Sequence, residues 1–192
     1  MQIAYNRTTR KEKPKYIVIH DTGNNSKGAD ANAHYNYFNG GNRQSSADIF
    51  VDDNGALIVN DYNKYYTWHC GDGNGRYGIT NSNSVGVEIC VNEDGDYDKA
   101  VKNTIVAVRK LMAELHIPIN RVVRHFDASK KLCPASMSAN NWEGWEQFKE
   151  LLINDCAFIQ MKAGLEDKTM EYLQNYTFGG FLIKKLADAM TK

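Results

Sequence analysis

One segment constrains the fold more than any other. Residues 84–92 alternate strictly, with Val85, Val87, Ile89 and Val91 on one side and Gly86, Glu88 and Cys90 on the other. Successive side chains of a strand point to opposite faces, so one face here is wholly apolar and the other carries a single carboxylate. Such a strand needs neighbours and an apolar layer to bury against. Tyr16-Ile17-Val18-Ile19-His20 reads as a second buried strand, β-branched and ending at a histidine. Residues 121–125 form a third, also ending at a histidine, His125. Residues 47–51 and 56–59 flank Asp52-Asp53-Asn54-Gly55, a hairpin turn signal.

Helical segments fall between these strands. Residues 29–38 have a helical composition, stopped by Gly40-Gly41. Residues 98–116 are amphipathic, with Val101, Ile105, Val108, Leu111, Met112 and Leu115 on the apolar side, and Ile117-Pro118 ends them. Residues 142–152 carry Trp145, Phe148, Leu151 and Leu152 at helical spacing. Residues 61–83, rich in Asn, Gly, Asp and Tyr, read as a long functional loop. Strands and helices mixed in this way predict an α/β fold, a central mixed β-sheet flanked by helices.

A length of 192 residues fits one medium domain with a small appendage, and 42% hydrophobic residues suffice for a core. We place the main domain at residues 1–155 and a short helical C-terminal segment at 156–192. Lys plus Arg equals Asp plus Glu at 23 each, so the chain has no overall field that seeks nucleic acid or an anionic membrane. No stretch approaches the roughly 18 apolar residues that span a bilayer, and the first residues lack a signal peptide's apolar run. The expectation is a protein made in the cytoplasm without a signal peptide or membrane insertion. The cysteines Cys70, Cys90, Cys133 and Cys156 form no close pair, which argues against a disulfide framework.

Two strands ending in histidines, with Cys133 eight residues past the second, suggest a metal site. Two imidazoles and a thiolate suit zinc and leave a fourth position for water. By spacing alone, structural roles for these side chains stay open.

The surrounding words add more. Val18-Ile19-His20-Asp21-Thr22, Trp68-His69-Cys70-Gly71-Asp72-Gly73-Asn74-Gly75, Ser84-Val85-Gly86-Val87-Glu88-Ile89-Cys90, and His125-Phe126-Asp127 with Lys131-Leu132-Cys133-Pro134 occur in this order. Together they resemble the type-2 N-acetylmuramoyl-L-alanine amidases, a family that includes phage endolysins and the peptidoglycan recognition proteins. The resemblance spans roughly residues 14–152.

The resemblance implies a Zn2+ cofactor held by His20, His125 and Cys133, with Glu88 and Lys131 as catalytic residues. It places His69 beside the substrate groove, and a structural hydrogen-bonding role for His69 is an equal alternative. The implied substrate is bacterial peptidoglycan, cut between N-acetylmuramic acid and the L-alanine of the stem peptide. The implied setting is host lysis by a phage or prophage enzyme that reaches the wall after release. Glu88 would move the proton and Lys131 would stabilise the developing oxyanion. A plain strand carboxylate and a plain surface lysine are the alternatives for these two.

One departure is visible. Where several relatives carry a catalytic tyrosine, alignment on Gly55 puts Ala47, so acid–base work falls to Glu88. A catalytically silent peptidoglycan-binding module and a Cys-His thiol hydrolase are the competing readings. The first usually lacks the cysteine ligand, which is present here.

The C-terminal segment reads as two helices, residues 165–172 and 181–190, around Thr177-Phe178-Gly179-Gly180. Phe181, Leu182, Ile183, Leu186 and Met190 form the apolar side of the second. So short a segment must dock on the main domain, bind wall, or pair with a second copy. The expectation leans to a homo-oligomer formed through this segment.

Overall fold

The computed structural model describes residues 1–191. Its main sheet has five strands: β2 (Tyr16–Asp21), β3 (Ile49–Asp52), β4 (Gly55–Ile58), β6 (Ser84–Ile89) and β7 (Val122–Arg124), in the order β4-β3-β6-β2-β7. β3 and β4 pair antiparallel, whereas β3–β6, β6–β2 and β2–β7 are parallel, which gives the expected mixed sheet. The β3–β4 turn follows from its residues. Asp52 Oδ1 accepts from the Asn54 and Gly55 N–H groups at 2.8 and 3.1 Å, and Gly55 takes a φ of 145° that other residues avoid. A separate antiparallel pair joins β1 (Arg7–Thr9) to β5 (Tyr65–Thr67). The loop expected over residues 61–83 therefore contains a short strand.

Alternation along the strands separates the two sheet faces. Ile17, Ile19, Val85, Val87, Ile89, Ile49 and Val51 bury on one side, under α2 (Tyr97–Leu115) and α4 (Ala139–Ile153). Each such side chain contributes roughly 1.5–3 kcal/mol by leaving water. The other side is covered by α1 (Ala31–Asn39) over Phe50 and Cys90, and by the loop carrying Cys70 and Ile79 over Val18. Asp30 caps α1 by accepting from the Ala33 N–H at 2.7 Å, and Asp96 caps α2 by accepting from Lys99 at 2.9 Å.

Two sequence expectations shift. His125 is not the last residue of a strand: β7 stops at Arg124, and His125 opens the short helix α3 (His125–Ser129). Asp127 accepts from the Arg124 N–H at 2.9 Å, which turns the chain out of the sheet there.

The C-terminal segment holds three helices rather than two: α5 (Asp155–Ala163), α6 (Asp167–Asn175) and α7 (Gly179–Met190). Helix α5 escaped notice because Cys156, Ala157, Phe158, Ile159, Met161 and Ala163 surround it with apolar residues and leave no polar stripe. Phe158, Ile159, Met170, Ile183 and Ala187 join the same core as β2 and β6. Arg109 of α2 ties this layer down, pairing with Asp155 at 2.5 Å and lying 4.0 Å from the Phe158 ring centre. Of the apolar set on α7, Ile183 is buried, Leu186 and Met190 pack at the edge, and Phe181 remains exposed. Among the described residues no helix is long and apolar enough to cross a membrane.

Candidate metal centre

Register brings the chemistry together. β2 and β6 lie side by side, and His20 pairs with Glu88 across them. On the other edge of β2, Ile19 pairs with Arg124, so His20 and His125 leave neighbouring parallel strands next to each other. These are the carboxyl ends of the parallel strands, where α/β sheets hold their ligands. Cys133 arrives from the loop after α3. Lys130 turns the chain back with a φ of 70°, and the Phe126 N–H donates to the Cys133 carbonyl at 3.0 Å. Asp21 anchors the far side of that loop, accepting from the Ser136 N–H and hydroxyl at 2.8 Å each.

The donor atoms of His20, His125 and Cys133 lie within 4.8 Å of one another, and all three residues are buried. His20 Nδ1 stands 3.0 Å from His125 Nδ1 and 3.9 Å from Cys133 Sγ. A tetrahedral zinc with bonds of roughly 2.0–2.3 Å spaces its ligand atoms by roughly 3.3–3.7 Å, within the range seen. His125 gives a chemical reason as well. Its Nε2 lies 2.7 Å from Asp72 Oδ1. A carboxylate accepts only, so Nε2 carries the proton and Nδ1 presents its lone pair to His20. Lone pairs converging on one point are what a cation satisfies, so the set fits a metal ion.

Burial sets the protonation of this group. It holds His20 well below the usual imidazole value, with His69 and His125 adding to the effect. Burial likewise lowers His125, against the pull of Asp72. Cys133 is pushed up to about 12 by burial and then by Glu88, and Cys70 also to about 12 by burial. Burial thus disfavours an unaided thiolate at both sulfurs, which counts against a Cys-His thiol hydrolase, whereas a metal ion beside Cys133 would favour the thiolate. Burial raises Glu88 to about 8, with Asp21 adding repulsion. A cation at the adjacent donors favours the carboxylate and pulls the other way.

Glu88 Oε1 lies 3.9 Å from His20 Nδ1, and Oε2 is buried without a partner. Lys131 is exposed and lines a cleft of about 340 Å³ with Gln44, Trp68, Asp72 and His125. A second cleft, about 330 Å³, opens beside Glu88 under Thr22, His34, Tyr37 and Phe38. Thr22 Oγ1 and His34 Nε2 there are also buried and unpartnered. Ala47, at the position expected to lack a tyrosine, is buried under α1.

His69 lines the same cleft as Lys131, beside the expected groove, and its hydrogen bonds also fit the structural alternative. Both its ring nitrogens are engaged inside the protein, Nδ1 with His20 Nε2 at 3.0 Å and Nε2 with Ser84 Oγ at 3.1 Å. The protein itself thus holds both ring nitrogens. Sequence reasoning gave no role to Asp72, Ser84, Thr22 or His34. Asp72 stood inside the quoted Trp68–Gly75 word, but its contact with His125 spans 53 residues.

Residues 10–136 match the family described as N-acetylmuramoyl-L-alanine amidase. The chain is 41% identical over 134 residues to the N-acetylmuramoyl-L-alanine amidase CwlH of Bacillus subtilis (strain 168), covering 69% of this chain and 51% of that protein. It is 38% identical over 149 residues to XlyA of the same organism, covering 76% and 46%. The chain thus spans about half the length of these curated relatives. Among solved structures, the catalytic domain of XlyA superposes with a TM-score of 0.68 at 36% identity, covering 79% of this chain and 99% of that one. PlyL follows with 0.66 at 34%, covering 79% and 97%. With the matched region enclosing His20, Glu88, His125 and Cys133, this chain belongs to the N-acetylmuramoyl-L-alanine amidase family.

Proposed function

We propose that the chain is a zinc-dependent peptidoglycan hydrolase that cleaves the amide between N-acetylmuramic acid and the L-alanine of the stem peptide, in the lytic setting of a phage or prophage endolysin. The observation that carries this reading is the convergence of His20, His125 and Cys133 beside Glu88, one of whose carboxylate oxygens is buried without a partner. Zinc in that set supplies Lewis acidity and makes water nucleophilic at neutral pH.

The chain's own residues divide the remaining work. Glu88, with one carboxylate oxygen unpartnered, takes the proton of the attacking water and returns it to the alanine nitrogen as the amide opens. Lys131 donates to the carbonyl oxygen as negative charge develops on it. The clefts on either side of the metal donors give the glycan and the peptide somewhere to lie. The test is chemical. Digested wall gains free amino groups on L-alanine and no new reducing sugar ends; new reducing ends would mean a glycosidase.

The division into residues 1–155 and 156–192 belongs to the same proposal. The second part docks through Phe158, Ile159 and Ile183 and leaves Tyr172, Tyr176, Phe178 and Phe181 exposed at its far end. Those aromatics are the surface through which a second copy would pair. Light scattering tests this: a dimer supports the pairing, and a monomer at high concentration removes it.

A further inference from the structure

We infer that His69 is a positioning residue for the metal centre, the middle link of a proton-ordered chain from the Thr80 carbonyl to His20. The inference rests on the proposed metal site and adds to it the groups that orient one of its ligands.

The chain is read from its fixed end. A backbone carbonyl only accepts, and Ser84 Oγ lies 2.5 Å from the oxygen of Thr80. The hydroxyl has one proton and donates it there. Ser84 Oγ is then an acceptor toward His69 Nε2 at 3.1 Å, so His69 carries its proton on Nε2. A neutral ring has one proton, which leaves His69 Nδ1 bare. That bare nitrogen lies 3.0 Å from His20 Nε2 and accepts from it. His20 is left with its lone pair on Nδ1, the atom that faces His125 and Cys133. A carbonyl four residues before Ser84 thus decides which nitrogen of His20 is the ligand.

The surroundings are built for this ring. A Cβ at residue 86 would stand 2.5 Å from the His69 ring, so Gly86 makes room for it in mid-strand. Asn81 Oδ1 accepts from the His69 and Cys70 N–H groups at 3.0 and 2.8 Å, which fixes the backbone that carries the ring. His69 itself is 8% exposed. Partners of this type orient metal-bound histidines, and their removal lowers metal affinity by about 10–100-fold.

The experiment is a zinc titration of the full chain against a competing chelator, with melting temperature recorded for each variant. H69A is expected to weaken zinc binding by about 10–100-fold. H69N is expected to recover most of that loss, because the amide oxygen replaces the bare nitrogen at the same distance from the backbone. S84A should fall between parent and H69A. If H69A does not fold, H69N and S84A carry the test. Folded variants that all bind zinc within a factor of about two of the parent overturn the inference, since that is far below the loss expected for an orienting partner. So does a raised KM with unchanged zinc affinity, which would return His69 to the substrate groove. A parent chain that binds no zinc would instead overturn the metal site itself.

Discussion

Strand β6 has two faces, and they are built to different rules. Val85, Val87 and Ile89 are fully buried against Ile105 and Val108 of α2, with no polar atom among their side chains. On the opposite face of the same strand, Gly86 packs under the His69 ring and Glu88 carries an unpartnered carboxylate oxygen. The apolar face is satisfied by itself. The polar face carries a desolvated carboxyl, bare lone pairs and an unfilled hydrogen bond, which fold stability alone would select against. Each face therefore predicts a different phenotype for substitution on the same strand.

The largest effect is expected on the polar face. Glu88→Gln keeps the shape and removes the base, so turnover falls by roughly 10²-fold or more. Melting temperature and zinc content stay at parental values. Parental turnover in the Glu88→Gln variant would show that the carboxylate is structural.

The apolar face predicts the reverse. Ile89→Ala leaves a cavity in a packed layer and costs about 3 kcal/mol of stability, read by urea denaturation. Zinc affinity of the folded fraction is unchanged. If Ile89→Ala loses zinc before it loses structure, the two faces are not independent.

That contrast also explains what the sequence made legible. The alternation of residues 84–89 carried both faces, because period two is a local property of the chain. His20, Glu88, His125 and Cys133 stood out because their words occur together. What was illegible needed contacts between distant residues. Asp72 meets His125 across 53 residues, and Ser84 meets His69 across 15. Helix α5 was hidden for a different reason: its apolar residues are spread around the helix, with Asp155, Gln160 and Lys162 between them, and periodicity has little to report there.

Gly86→Ala sharpens the comparison further, since the added methyl acts on the polar face without removing any polar group. It presses on the His69 ring, and zinc affinity is expected to fall by roughly 10-fold, the low end for loss of an outer partner. Unchanged affinity would mean the ring moves freely and holds nothing in place.

The smallest effect belongs to the exposed end of the tail. Phe181→Ser removes a ring that touches solvent more than core, and stability should change by no more than about 0.5 kcal/mol. A larger loss would show that this side chain is needed, either for α7 to dock or for a second copy to pair there.

Zinc stoichiometry tests the central claim most directly. Parent protein, purified without chelator and analysed by elemental methods, is expected to carry about one zinc per chain through His20, His125 and Cys133. Cys133→Ser, folded by circular dichroism, is expected to lose the metal and wall cleavage together. Wall cleavage at the parental rate by metal-free protein, or by the Cys133→Ser variant, would contradict the account.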